Sequence, residues 1–117
     1  MSDRPALAYK VLTGDQMKAF EGERIFAGAP VDVADGYIHL STAGQVDTTV
    51  AKHFAGQDDL HIAAVDLEVL GDAVRWEASR GGDLFPHLYA PLPLLAVIAY
   101  GPLERDDAGA VKLPIAG

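Results

Sequence analysis

The stretch Asp35-Gly36-Tyr37-Ile38-His39-Leu40-Ser41-Thr42 constrains this chain more than any other. Asp-Gly is a strong turn signal, because Asp folds onto its own backbone and Gly accepts positive φ. The residues that follow have strand character, and a strand sends alternate side chains to opposite faces. Ile38 and Leu40 therefore share a face directed at the core. Tyr37 and His39 share the other face, which Ser41 continues. Thr42 then reads as a helix cap, with Gln45 reaching back to complete a capping box. A turn, a short strand and a capped helix thus hold an imidazole beside free backbone N–H groups. Such a place suits a polar or anionic ligand.

A chain of 117 residues is long enough for one domain with one real core. Half of it is apolar and 22% is charged, the balance of a folded globular protein. The net charge of −8 comes from 9 basic and 17 acidic residues. General DNA or RNA binding needs clustered Lys and Arg to displace counterions. No such run exists, so a single recognised nucleotide is the most that this charge allows. The absence of cysteine removes disulfides, thiolate metal sites and cysteine nucleophiles. Met1-Ser2-Asp3-Arg4-Pro5 lacks the basic-then-apolar layout of a secretion signal. The longest apolar run, Leu92 to Tyr100, is broken by Pro93 and falls well short of the roughly 18 residues of a membrane span. A soluble cytoplasmic protein without membrane contact is expected.

In chain order, Ala6 to Leu12 reads as a strand and Thr13 opens a capping box with Gln16. Met17 and Phe20 give the following short helix its buried side, and Gly22 is expected to end it. Residues 23–34 are a connection broken by Gly28 and Pro30, from which Arg24 could reach a ligand. A second helix is predicted from Ala43 to Phe54. Leu60 to Leu67 is a buried strand, Val69 to Gly71 a turn, and Ala73 to Ser79 an alternating strand. Arg80-Gly81-Gly82-Asp83 is a loop. Pro86, Pro91 and Pro93 then impose an extended path. Leu94 to Leu103 is a further strand, and Asp106 to Gly109 turns the chain into a last one, Ala110 to Ile115. Strands outnumber two or three short helices, which defines a single α+β domain spanning residues 1–117.

The polar residues converge on one possible cleft. Arg75 and Glu77 lie two apart on a strand, roughly 6.6–7 Å apart on one face, and can flank a ligand. The competing reading is an exposed charged face whose ions pair weakly. His39 and His87, the latter two residues before Tyr89, read either as site residues or as packed histidines bonded to backbone. His53 and His61 read as structural. A zinc or iron site from His39, His87 and Asp35 or Glu77 would have acceptable donors. It lacks the compact spacing of such sites, so no metal is expected. Ser41 and Ser79 lack the glycine-flanked elbow of a nucleophilic serine.

Tyr9-Lys10, Asp35-Gly36-Tyr37-Ile38-His39-Leu40-Ser41-Thr42, Arg75-Trp76-Glu77 and Phe85-Pro86-His87-Leu88-Tyr89 resemble, in order and spacing, a small bacterial family known as domain of unknown function 952. That family is similar in fold to the ADP-ribosyltransferases, whose split, curved and mostly antiparallel sheet holds NAD in a cleft. The resemblance implies that His39 anchors a ribose hydroxyl and that Glu77 meets the positive charge developing on the nicotinamide ribose. Arg75 would take a phosphate, while Ser41, Thr42, His87 and Tyr89 would line the pocket. Glu104 is the rival carboxylate. The Ser-Thr-Ser motif of one transferase branch is missing, since Ser41 and Thr42 follow the histidine directly. The resemblance implies no resident cofactor and makes NAD a candidate substrate. A non-catalytic small-molecule or peptide binder, or an interaction domain with an architectural His and Tyr cluster, remains the alternative.

Overall fold

The computed structural model describes residues 5–79 and 82–114. Readings that involve Met1–Arg4, Arg80, Gly81 and Ile115 lie outside the described residues. The first strand, β1, runs Leu7–Thr13 and leads directly into α1, Gly14–Glu23. Thr13 caps the helix as expected: its hydroxyl accepts from Gln16 N at 3.1 Å, and Gln16 Oε1 accepts from Thr13 N at 2.9 Å. Met17 and Phe20 are buried. The helix runs through Gly22, against expectation. It stops one residue later, at Glu23, because Arg24 adopts φ 64° and its N–H closes onto Phe20 O at 2.7 Å. Arg24 is thus a helix cap.

The connection expected over residues 23–34 is structured. It holds β2, Ile25–Phe26, and α2, Pro30–Asp35. Pro30 starts α2 rather than breaking the chain, because the N–H at the first position of a helix makes no intrahelical bond that proline could lose. Asp32, two residues on, accepts from Ala29 N at 2.7 Å and satisfies a free donor of that end. The Asp35-Gly36 turn is the end of this helix, with Gly36 at φ 90° and its N–H on Asp32 O at 2.9 Å. Next comes β3, only Ile38–His39. The second predicted helix, α3, spans Val46–His53, shorter than expected. Gln45 Oε1 does accept from Thr42 N at 3.0 Å, but Gln45 N bonds Thr42 O instead of the hydroxyl. That closes a turn and delays the helix.

The rest is mostly strand: β4 Leu60–Asp66, β5 Val74–Ala78, β6 Leu84–Leu88, β7 Leu92–Pro93, β8 Val97–Pro102, β9 Glu104–Arg105 and β10 Val111–Lys112. A single helical turn, α4 (Leu67–Leu70), and a 3₁₀ turn separate β4 from β5. Among the described residues the pairings are antiparallel and form two three-stranded sheets, β1-β4-β8 and β3-β6-β5, with two small ribbons, β2-β7 and β9-β10. Among the described residues, one bridge, Tyr9 with Ser41, joins the two larger sheets at their edges. This is a split, mostly antiparallel α+β architecture. The main core lies between the sheets and contains Leu12, Phe20, Ile38, Leu40 and Leu88. A second core under α3 contains Val46, Val50 and Ile62.

Pro86 sits in the middle strand of β3-β6-β5, where a missing N–H is normally harmful. Its carbonyl accepts from Leu40 N at 3.1 Å, so its nitrogen also faces the β3 side. There β3 has already ended, and the β5 ladder loses no donor.

Candidate functional site

Register assembles the site. His39 pairs with His87 across β3-β6, and His87 with Arg75 across β6-β5. Alternation then places Tyr37, His39, Arg75, Glu77, His87 and Tyr89 on one face, opposite the core-facing Ile38, Leu88, Val74 and Trp76. The structure therefore brings together the five residues whose convergence the sequence leaves open. Tyr37 joins them and occupies the centre. Its ring stacks on His87 with centroids 4.0 Å apart, and lies 4.7 Å from His39 and 5.2 Å from Tyr89. His39 meets His87 edge-on at 5.6 Å. The Arg75 guanidinium lies over the Tyr89 ring at 4.8 Å.

One oxygen of Glu77 fastens this face. Its Oε1 accepts from Tyr89 OH at 2.6 Å and from His87 Nδ1 at 2.8 Å. The Tyr89 hydroxyl, then His87, hold the carboxyl below the ordinary Glu range, and the same bond raises the Tyr89 phenol. Burial, followed by Asp35 and Glu77, also raises Tyr37. Glu77 is 38% exposed, and its Oε2 makes no hydrogen bond among the described residues.

Beneath His39 lies a charge cluster that the sequence reading missed. Lys10 shares the core-facing side of β1 with Ala8 and Leu12 and is 5% exposed. A buried ammonium needs a partner. Asp32, 1% exposed, supplies it at 3.0 Å. The same carboxylate accepts from His39 N at 3.0 Å and sits 2.6 Å from His39 Nδ1. Burial alone would raise the Asp32 carboxyl; the His39 ring, Lys10 and the N–H groups of Ala29 and His39 outweigh it and hold the value at about 2. Burial likewise pulls Lys10 down, against the pull of Asp32. Lys10 Nζ also donates to His39 O at 3.0 Å. On the other side of the ring, His39 Nε2 lies 2.9 Å from Asp35 Oδ2. Both nitrogens of His39 therefore rest against carboxylates.

Other expected site residues lie elsewhere. Ser41 is buried, its hydroxyl 2.8 Å from Thr49 Oγ1 and turned away from the rings. Thr42 contributes its N–H to Gln45. Glu104 is exposed on β9 opposite Lys112. Among the described residues no three His, Asp or Glu side chains are placed to hold a metal ion. A shallow groove of about 300 Å³ opens beside Tyr37 and Tyr89, walled by Ala27, Val33, Gly36 and Pro91. Lys10 and Asp32 each left a trace in the sequence. A lysine on the core-facing side of an apolar strand demands a counter-ion, and Pro30 followed by an acid at the third helical position marks a helix start.

The fold and this face define a small α+β domain in which His39 and His87 are each braced by a carboxylate. The family described as Protein of unknown function (DUF952) matches residues 11–100, and the chain belongs to that family. It is similar to the crystal structure of protein CC0527 from Caulobacter crescentus: 44% identity over 91% of this chain and 93% of that one, with a TM-score of 0.82. The solution NMR structure of CC0527 gives 45% identity over 92% and 91% of the two chains, with a TM-score of 0.77. No curated protein matches the chain.

Proposed function

We propose that the Tyr37-His39-His87-Tyr89 face binds a nucleotide of the NAD class and cleaves its N-glycosidic bond, in the manner of an ADP-ribosyltransferase-like domain. The observation that carries this reading is the common face of His39 and Glu77, linked through His87 and Tyr37. Supporting it, the electron-rich rings and the Glu77 carboxylate favour a planar cation such as the nicotinamide end of NAD. Arg75 is the cation on the same face available to a phosphate.

When the C1′–N bond breaks, its electron pair leaves with neutral nicotinamide and positive charge grows on the ribose. Glu77, ionised and with Oε2 unengaged, is the group to stabilise that charge. His39 would hold a ribose hydroxyl through Nε2, the ligand taking the place of Asp35, which is 46% exposed. Nicotinamide release from NAD, followed by chromatography, tests the reading. Glu77→Gln should slow release by about 10²–10³-fold; equal rates in both proteins, or no release from wild type, would reject it. The competing reading, an architectural cluster, rests on the burial of His87 and its stack on Tyr37. It requires His39→Ala to lower the melting temperature by several degrees while ligand binding is absent throughout.

A further inference from the structure

His87 is the most deeply buried polar group on this face, its side chain 5% exposed. Glu77 is ionised and can only accept, so the 2.8 Å contact fixes the ring hydrogen on Nδ1. The geometry of an imidazole then turns Nε2 away from Glu77. Among the described residues Nε2 has no hydrogen-bond partner, yet it is not among their fully buried, unpartnered atoms. A nearly buried acceptor is thus held in one orientation by a carboxylate and a stacked tyrosine, with no hydrogen-bond partner at Nε2 among the described residues.

We propose that His87 Nε2 is the proton acceptor of this site, deprotonating a hydroxyl nucleophile, water in the simplest case, as it attacks the ribose. This rests on the nucleotide reading above and assigns a step which that reading leaves open. The nucleophile's oxygen forms a bond to C1′, and the C1′–N bond breaks with its electron pair going to nicotinamide. The O–H proton moves to Nε2. The hydrogen on Nδ1 stays in the bond to Glu77 Oε1, and the carboxylate stabilises the imidazolium that results. Oε1 thus serves His87, and Oε2 remains for the ribose cation. The charged and titratable groups around the ring are Glu77 and Arg75 from β5, Tyr89 following β6, and Tyr37 and His39 from the β3 side, with Asp32, Asp35 and Lys10 acting through His39.

The test combines imidazole ¹⁵N NMR of the wild-type chain with turnover against pH. In the free protein at pH 8 His87 should carry hydrogen on Nδ1 and none on Nε2, and added ADP-ribose should move the Nε2 resonance. His87→Asn keeps a donor for Glu77 but has no atom at Nε2. It should lose about 10²–10⁴-fold in turnover at saturating NAD, and lose the acid limb of the pH profile. Binding with an unmoved Nε2, a hydrogen on Nε2 in the free protein, or an intact acid limb in His87→Asn would overturn the assignment of His87 alone. No binding of either NAD or ADP-ribose would overturn the nucleotide reading, and this step with it.

Discussion

Replacing Asp32 by Asn removes one charge from a buried pair and leaves the other. Lys10, 5% exposed, would keep an ammonium whose nearest anion is gone. Breaking a buried pair from one side costs about 3–5 kcal/mol, far more than a surface bridge is worth. The substitution also turns an amide NH₂ toward a site that receives donors from Ala29 N, His39 N and the His39 ring. An unfolding entropy of about 2.1 cal/mol/K per residue gives about 0.25 kcal/mol/K for 117 residues. The melting temperature should therefore fall by about 12–20 °C. Differential scanning calorimetry reads it directly. Lys10→Met combined with Asp32→Asn should recover most of the loss, because removing both charges leaves no buried ion unpaired. A fall of less than about 4 °C in Asp32→Asn, or no recovery in the double variant, would show that the pair does not organise this side of the site.

Acid should expose the same group. The Asp32 carboxyl sits at about 2 when folded against an ordinary value of 3.8, so its contribution is complete above the ordinary value and is lost as pH falls through 2. Denaturant titrations from pH 5 to pH 2 should lose about 2 kcal/mol from this source; a pH-independent midpoint would contradict it. Tyr89→Phe removes the strongest influence holding Glu77 down, so the Glu77 carboxyl should titrate at higher pH in ¹³C NMR than in wild type. Gly36→Ala forces an alanine to φ 90° and should destabilise by about 1 kcal/mol in urea unfolding, although the added methyl meets open space. Thr13→Ala strips the capping box from α1 and should cost about 1 kcal/mol by the same assay.

Local signals in the sequence carried well into the structure. Thr13 and Gln16 cap the first helix, the alternation around Trp76 gives β5, and Asp106 folds onto Ala108 N and Ala110 N to make the last hairpin. The face shared by Tyr37 and His39 was legible because a strand alternates strictly. What could not be read were choices among competing partners, most of them distant in sequence. Lys10 and Asp32 are 22 residues apart, and neither explains the other until α2 packs beside β1. Gln45 could serve a capping box or a turn, and its use by Thr42 O decided for the turn. Ser41 follows the histidine face by alternation, but its backbone bridges to Tyr9 and its hydroxyl goes to Thr49. Tyr37 has no charge or metal-ligand chemistry to single it out, yet its ring touches His39, His87 and Tyr89.

Whether these rings hold a nucleotide is tested most directly by melting the wild-type chain and Tyr37→Ala with and without millimolar NAD. A ligand at 100 times its Kd adds about 2.7 kcal/mol, or about 10 °C for a chain of this length. Wild type should rise by an amount of that order, and Tyr37→Ala, with the central ring removed, should rise far less. An unmoved wild-type melting temperature, or an equal rise in both proteins, would contradict the account.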